Sequence, residues 1–174
     1  MAGFGELDTA TLYGLLRLRV DVFVVEQRCP YPDLDGRDTE PATRHLWLER
    51  AGVPVAYLRL LAEPGTADER VAASGRSASG ARDQAARADG TAVRISRVVV
   101  APADRGGGLA GRLLAAALVE VGDRECVLAA QSRLAGFYGR LGFVPTGPEY
   151  VDDGIWHLPM RRAPDRIHSA GGPR

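Results

Sequence analysis

The sequence predicts a single α/β (α+β) domain, in which strands and helices alternate along the chain. Three observations lead to this fold class. The chain has 174 residues, which is the length of one domain. Strand-like apolar runs alternate with amphipathic helical patterns. An apolar β-branched run ends at Val100 and passes through a short loop into three glycines that begin a helix.

The N-terminal part of the chain predicts a helix followed by a β-hairpin. Residues 9–27 carry apolar side chains at helical spacing, which predicts a helix. The run at 22–27 is also typical of a strand, so the sequence does not fix the residue at which the helix ends. A loop rich in Pro, Asp and Gly follows over residues 29–38. Two strand-like runs, 45–49 and 53–61, are joined by a short glycine-containing turn and predict an antiparallel hairpin.

Residues 64–92 differ from the rest of the chain in composition. They consist mainly of Ala, Gly, Ser, Arg and Asp, and Val71 is their only large apolar residue. Such a segment cannot bury enough surface to offset the entropy of ordering it. We therefore expect a flexible insertion within one domain that spans residues 1–162, followed by a disordered tail over 163–174.

The next segment predicts a strand and a helix. The strand covers residues 93–100, and the helix runs from about residue 107 to 121, with Gly122 as its C-terminal stop. Six apolar residues at helical spacing form its inner face: Leu109, Leu113, Leu114, Ala117, Leu118 and Val121.

The C-terminal segment predicts a strand, a short helix and a hairpin. The strand covers residues 126–131 and is followed by a helix that Ser132 caps and that reaches Leu141. Leu134, Phe137 and Leu141 are expected to form the buried stripe of this helix. Strand-like runs over 143–160 then flank a turn at Asp152-Asp153-Gly154.

The glycine-rich segment before the second helix has the chemistry of an anion site. Backbone amides at a helix start have no intrahelical acceptor, and glycines let a phosphate approach them closely. A dinucleotide fold is disfavoured because five residues separate the strand from Gly106 and the next strand ends in Gln131 rather than in an acid. A P-loop is excluded because the chain contains no Lys. We interpret the segment as a pyrophosphate site, with a plain strand-to-helix turn as the alternative.

Composition excludes several classes of function. The chain has 22 basic and 22 acidic residues, so its net charge of zero gives no indication of nucleic-acid binding. We find no membrane span and no signal peptide, and the two cysteines match no metal or redox spacing, so we expect a reduced, cytoplasmic protein without a metal. The acidic side chains at 33–38 lack the calcium-loop pattern and are expected to be solvated, or to attract a cationic amine.

Several sequence blocks, in this order, resemble the ElaA-like branch of the GNAT superfamily of N-acetyltransferases. One block, Arg105-x-x-Gly108-x-Ala110, is similar to the coenzyme A pyrophosphate loop of that superfamily. The others are Leu18–Gln27, Cys29–Gly36, Arg44-His45, Ala130-Gln131 with Phe137-Tyr138, Gly142-Phe143, and Asp153-Gly154-Ile155 with His157. The family typically has Pro where this chain has Trp156.

The resemblance implies a twisted mixed sheet, splayed at the strand that ends in Val100, with acetyl-CoA in the resulting V. It also implies which residues bind the cofactor. These are the strand backbone at Val98, Val99 and Val100, the loop side chain of Arg105, the loop and helix amides of Gly106, Gly107, Gly108, Leu109, Ala110 and Gly111, and the amide side chain of Gln131.

Three catalytic roles need residues. By the resemblance, Tyr138 is the general acid that protonates the leaving thiolate. The Val98 amide is expected to stabilise the oxyanion if the strand bulges there. Glu26, His45 and His157 are the candidates for a base, and a water chain is the alternative to all three.

The sequence therefore predicts an enzyme that transfers an acetyl group from acetyl-CoA to a primary amine of a small molecule or peptide, directly within a ternary complex. One alternative is a non-catalytic acyl-CoA sensor. Another is an acyltransferase similar to acyl-homoserine lactone synthases, which the stretch Arg19–Phe23 faintly resembles. A homodimer is compatible with the sequence but is not required by it.

Overall fold

The fold is built around one seven-stranded sheet. The computed structural model describes residues 1–63 and 92–164. The strands are β1 (Arg44–Arg50), β2 (Val53–Glu63), β3 (Ala92–Val100), β4 (Cys126–Gln131), β5 (Val144–Pro145), β6 (Tyr150–Asp152) and β7 (Ile155–Arg162). Apart from Ala92, the predicted flexible insertion lies outside the described residues, and so does the predicted tail beyond residue 164.

Three helices accompany the sheet: α1 (Thr9–Arg19), α2 (Leu109–Val121) and α3 (Ala135–Gly139). The Asp8 side chain caps α1 by accepting a hydrogen bond from the Thr11 amide. Helix α1 continues directly into a π-helical segment, Val20–Glu26, so the strand alternative for residues 22–27 is wrong. Short π-helical segments inside helices are frequent at functional sites.

The sheet splits at its centre, between two neighbouring strands that pair over only part of their length. The strand order is β1-β2-β3-β4-β7-β5, with β6 paired to β7. All neighbours are antiparallel except β3 and β4, which are parallel and pair at only two positions, Val93 with Cys126 and Arg94 with Val127. Beyond these positions the two strands separate. The mixed sheet, splayed at the strand that ends in Val100, is thereby confirmed.

Both predicted hairpins are confirmed. Strands β1 and β2 pair from Arg44 with Leu60 to Arg50 with Val53. In the second hairpin, Asp152 of β6 pairs with Ile155 of β7 across a two-residue turn. Asp153 and Gly154 in that turn both have positive φ angles, 47° and 79°. This backbone twist matches the right-handed twist of the strands and favours a tight hairpin.

Two apolar cores cover the two faces of the sheet. The larger lies beneath α2, whose buried residues are Leu113, Leu114, Ala117 and Val121, with Leu109 and Leu118 partly buried, as the helical spacing predicts. The smaller lies beneath α1, where Leu15, Leu18 and Val22 pack against Tyr57 and Val99. The splayed strands are therefore supported from both sides.

The short helix after β4 differs from the prediction. It begins as a 3₁₀ turn over Ser132–Leu134 and becomes α-helical only in α3. Because a 3₁₀ turn has three residues per turn, the faces of the following residues rotate relative to an α-helix. Leu134 is therefore 40% exposed, whereas Phe137 and Leu141 are partly buried against the larger core, as predicted. Tyr138 is the buried residue of α3. Ser132 provides no side-chain cap, and its Oγ has no partner within the described residues.

Candidate active site

A large cleft opens where β3 and β4 separate. Its volume is about 1030 Å³, at the upper end of the range of ligand pockets, and both strands contribute residues to its walls. Nearly all of the predicted site residues line it: Glu26, Val98, Val99, Val100, Arg105, Gly106, Gly108, Leu109, Ala110, Gly111, Gln131 and Tyr138. Gly107 and His45 are absent from the lining.

The glycine loop closes one end of this cleft. Gly106 and Gly108 have φ angles of 80° and 74°, which side chains rarely adopt. A Cβ on Gly106, Gly108 or Gly111 would meet nothing within 4 Å, so the main chain at these positions is open to a ligand. The first intrahelical bond of α2 runs from the Arg112 amide to the Gly108 carbonyl, which leaves the amides of the first turn without helical acceptors. The loop therefore fits a diphosphate.

An ion pair fastens the loop to the π-helical segment at the cleft wall. The Arg105 guanidinium donates to both carboxylate oxygens of Glu26, at 2.8 Å each, and its Nε donates to the Val100 carbonyl at 3.1 Å. The hydrogen bonds from Arg105 lower the pKa of Glu26. Glu26 is consequently ionised and paired, which makes it a poor proton acceptor and a good brace for the loop.

Strand β3 bulges where the sequence analysis expects it. Tyr57 pairs with Val99 and Arg59 with Ser96. Between these pairs one residue of β2 lies opposite two residues of β3, Arg97 and Val98, so the pairing passes over both. Arg97 has a φ angle of 56°, which is costly for a residue with a side chain. The bulge turns the backbone at Val98 out of the regular ladder, beside the cleft that this residue lines.

A largely buried ionic cluster holds this bulge. It consists of three arginines and three aspartates, which we call the arginine–aspartate cluster: Arg19, Asp33, Asp35, Asp38, Arg59 and Arg97. Its charges balance, so none of the buried charges is left without a counterion. Arg97 contacts Asp33 at 2.7 Å and Asp35 at 3.2 Å, and its guanidinium stacks over the Tyr31 ring.

The remaining contacts of the cluster tie three elements together. Arg19 of α1 pairs with Asp33 at 2.9 Å and with Asp38 at 2.7 Å, and its side chain is only 1% exposed. Arg59 of β2 bonds Asp35 in bidentate fashion, at 2.8 and 2.6 Å, and Asp38 at 2.9 Å. The hydrogen bonds from Arg59 hold the pKa of Asp35 well below its usual range.

The burial of Asp33 and Asp38 corrects the expectation that the acidic loop is solvated. Both residues are less than 10% exposed and accept hydrogen bonds from arginines. A signal for this was present in the sequence, since Arg19 lies within an apolar helical stripe and Arg59 within an apolar strand. Charged residues are fully buried almost only when paired, so two inward-facing arginines require nearby acids.

Tyr138 lines the cleft from α3. Its ring packs edge-on against Phe137 and Phe143, with ring centroids 5.2 and 6.0 Å apart. Burial raises the pKa of Tyr138 to about 12. The phenol therefore stays protonated at neutral pH, as a proton donor must.

Gln131 ends β4 at the edge of the cleft. Its side-chain nitrogen donates to the Gln27 side chain at 3.1 Å, and its oxygen accepts from Arg133 at 2.8 Å. These contacts connect the end of β4 to the end of the π-helical segment.

The two candidate histidines have different surroundings. His45 is 2% exposed, with Nδ1 bonded to the Tyr57 hydroxyl at 2.8 Å and Nε2 to the Asp38 carbonyl at 3.1 Å. Burial lowers its pKa, and the ring lies outside the cleft. His157 lies on β7 opposite Gln131 and lines the cleft.

Within residues 1–63 and 92–164, no three His, Cys, Asp or Glu side chains converge to hold a metal ion. No helix in this part of the chain has the length and apolar character needed to cross a bilayer. Cys29 and Cys126 are both buried free thiols.

Known proteins share both the sequence and the fold. A GNAT acetyltransferase domain profile matches residues 71–163. A UPF0039 protein of Mycobacterium tuberculosis is 44% identical over 157 residues, which is 90% of this chain and 87% of the relative. Protein ElaA of Escherichia coli is 35% identical over 161 residues, or 90% of each chain.

Solved structures give the same result. An acyl-CoA N-acyltransferase from Pseudomonas aeruginosa superposes with a TM-score of 0.74 at 38% identity, over 93% of this chain and 96% of that one. The crystal structure of Escherichia coli ElaA has a TM-score of 0.71 at 34% identity, over 91% and 93% of the two chains. This chain thus belongs to the GNAT acetyltransferase family, in the group that includes ElaA.

Proposed function

We propose that this protein is an N-acetyltransferase that moves the acetyl group of acetyl-CoA to a primary amine of a small molecule or peptide, directly within a ternary complex. The observation that carries the proposal is that the glycine loop, the β3 bulge and Tyr138 all line one cleft of about 1030 Å³. The cleft lies at the upper end of the size range of ligand pockets, which supports binding of a donor and an acceptor together, as direct transfer requires.

The donor is held, in this proposal, by main-chain groups. The diphosphate binds to the amides of Gly106–Gly111, where Gly106 and Gly108 leave the backbone open. The pantetheine arm bonds to the backbone of Val98–Val100 at the splayed edge of β3, and Gln131 contacts it from β4. Arg105 supports the loop through its bonds to Val100 and Glu26.

The oxyanion is stabilised, in this proposal, by the amide of Val98. The pairing register of β3 passes over this residue because of the bulge, and Val98 lines the cleft. A donor that is fixed before the reaction stabilises the developing charge without reorganisation.

Tyr138 is the proposed general acid. Its pKa of about 12 is about 3.5 units above that of an ordinary thiol, so complete proton transfer to a free thiolate would cost about 5 kcal/mol. Proton donation must therefore accompany cleavage of the C–S bond, when the sulfur is most basic. Glu26 is assigned to bracing the loop rather than to proton transfer, and His45 is left outside the reacting groups.

The first test is transfer itself. Purified protein with acetyl-CoA and an array of primary amines should release free thiol, and Tyr138→Phe should lower kcat on the order of 100-fold, since a general acid contributes at least that much. The dissociation constant of acetyl-CoA, measured by calorimetry, should stay within about twofold of the parent value. With a pKa of about 12, Tyr138 should cause no alkaline fall in kcat below about pH 11.

Other outcomes would favour the alternatives. Binding of acetyl-CoA without turnover on any amine would indicate an acyl-CoA sensor. Lactone formation from S-adenosylmethionine and an acyl donor would indicate an acyl-homoserine lactone synthase activity. A full kcat in Tyr138→Phe would remove the assigned acid.

We also propose that the enzyme works in the cytoplasm, because its two cysteines are free thiols. A homodimer is an open expectation that light scattering of the purified protein would check.

A further inference from the structure

His157 presents one ring nitrogen to its own strand. Its Nδ1 lies 2.9 Å from the Ile155 carbonyl, and because a carbonyl can only accept, Nδ1 carries the proton. In the neutral ring this leaves the lone pair on Nε2. Within residues 1–63 and 92–164, no group forms a hydrogen bond with Nε2.

His157 lies beside the end of β4 and lines the same cleft as Tyr138. It pairs in register with Gln131 at the end of β4, where the chain turns toward α3 and Tyr138. Its ring lies against Tyr150 of β6, with ring centroids 6.0 Å apart. The imidazole is therefore oriented by two contacts and lines the same cleft as Tyr138.

The other two candidate bases already form hydrogen bonds through the atoms that would accept a proton. Glu26 receives two hydrogen bonds from Arg105, and both nitrogens of His45 are bonded in a buried position outside the cleft. We propose that Nε2 of His157 is the general base that removes a proton from the ammonium form of the acceptor. This inference rests on the proposed function, for which it supplies the missing base.

The proton balance of the reaction is as follows. The acceptor ammonium gives one proton to Nε2, and the nitrogen lone pair then forms the C–N bond to the thioester carbonyl. The C–S bond breaks with its electron pair on sulfur, and sulfur takes the proton of Tyr138. The amide nitrogen releases its second proton, which restores the phenol, and His157 returns its proton to solvent.

Other charged or titratable groups line the same cleft as His157, or contact its ring, and contribute to the pH profile of the reaction. From the hairpin these are Tyr150, Asp152 and Asp153, and from the turn after β4 there is Arg133. The cleft lining also includes Glu26, paired with Arg105, and Cys29, whose thiol donates to the Asp153 carbonyl at 3.0 Å. The pH profile must therefore be compared between variants, because its absolute position reflects all of these groups.

The decisive experiment compares His157→Gln with the parent and with Tyr150→Phe, using an alkylamine acceptor. His157→Gln should lower kcat/KM on the order of 100-fold and move its acidic limb up toward the pKa of the alkylamine, because glutamine cannot accept the proton and only the neutral form of the acceptor then reacts. Tyr150→Phe, which keeps the ring against His157, should retain the acidic limb. The dissociation constant of acetyl-CoA should stay within about twofold in both variants.

A second acceptor separates proton removal from positioning. With hydroxylamine, which is already neutral at the assay pH, His157→Gln should lose less than about tenfold in kcat/KM. An equal loss of kcat/KM with both acceptors would overturn the assignment of His157 as the base. An acidic limb in His157→Gln that is unchanged from the parent would overturn it too. A parent protein that acetylates no amine would overturn the proposed function and this inference with it.

A measurement on the parent protein avoids any folding defect of the variants. Nitrogen NMR of the ¹⁵N-histidine-labelled protein should show neutral His157 with its proton on Nδ1, and an acetyl-CoA complex should keep that tautomer. A neutral ring protonated on Nε2 would overturn the inference, since that nitrogen could not then accept a proton.

Discussion

Two neighbouring glycines of the loop differ in what they require. Gly108 has a φ angle of 74° and lines the cleft, whereas Gly107 has no positive φ and lies outside the lining. A side chain at Gly108 would thus strain the backbone by about 1–2 kcal/mol and project toward the ligand. A side chain at Gly107 would meet only the Asp104 carbonyl, at an ordinary 3.8 Å.

Gly108→Ala is accordingly expected to weaken acetyl-CoA binding by about tenfold and to lower the melting temperature, because the strain and the new methyl group both act at the diphosphate site. Gly107→Ala is the matched control and should leave the dissociation constant within about twofold. Calorimetry and thermal unfolding measure the two quantities. Equal affinities in the two variants would contradict the role given to Gly108.

At the scale of the residue, ion pairing also decides which side chain is available as a catalytic acid or base. Glu26, at the end of an apolar run, is a reasonable candidate base from the sequence alone. Its pairing with Arg105, 79 residues later in the chain, is a tertiary contact that no local pattern contains.

At the scale of the element, the β3 bulge combines strain with an ionic support. Arg97 holds a left-handed backbone conformation, and its side chain reaches Asp33 and Asp35. The strain persists because the surrounding contacts fix it. The geometry at Val98 therefore depends on both the backbone of Arg97 and its guanidinium.

Substitutions at Arg97 should separate these two contributions. Arg97→Gly and Arg97→Ala both lose the ion pairs, but only glycine removes the strain, so Arg97→Gly should be the more stable by about 1 kcal/mol in urea unfolding. This order is the reverse of that expected in a regular strand, where glycine is the worse residue. A more stable Arg97→Ala would show that the bulge is lost or unstrained.

The short helix after β4 shows why an element can be predicted while its buried face is predicted only in part. The spacing of the apolar residues over 132–141 predicts an α-helical period throughout. The initial 3₁₀ turn over Ser132–Leu134 changes that period, so Leu134 is exposed. Tyr138 is buried, and Phe137 and Leu141 stay partly buried against the core. The intrinsic preferences for 3₁₀ and α turns differ too little for a sequence to distinguish them over three residues.

At the scale of the whole molecule, the arginine–aspartate cluster couples the fold to the site. It joins α1, the loop over residues 33–38, β2 and the β3 bulge. Burial alone would raise the pKa of Asp38, but the hydrogen bond and charge of Arg19, together with Arg59, lower it below its ordinary value. Folding therefore favours the ionised form of this carboxylate.

Asp38→Asn should destabilise the protein by about 3 kcal/mol, because it leaves Arg19 and Arg59 with a buried charge that is not balanced. The exposed pair of Arg17 and Asp21, 3.5 Å apart, provides the control, and Asp21→Asn should cost less than about 0.5 kcal/mol.

The pH dependence of this effect has a defined sign. Because the pKa of Asp38 is lower in the folded protein, its contribution is present above about pH 4 and is lost as the pH falls through the folded value. Urea unfolding at several pH values should show the parent and Asp38→Asn converging in acid. A constant difference down to low pH would contradict the assignment.

The sequence alone determined the family, the α/β architecture and most of the cleft lining. Those features follow from local patterns: apolar periodicity, turn residues, and glycine spacing at Arg105–Ala110. The tertiary structure alone decided the partners of the charged side chains. Glu26 pairs with Arg105, His45 is enclosed beside Tyr57, and Asp33 is buried against Arg19 and Arg97. Each of these contacts joins residues distant in sequence, and its strength depends on burial, which a local pattern does not specify.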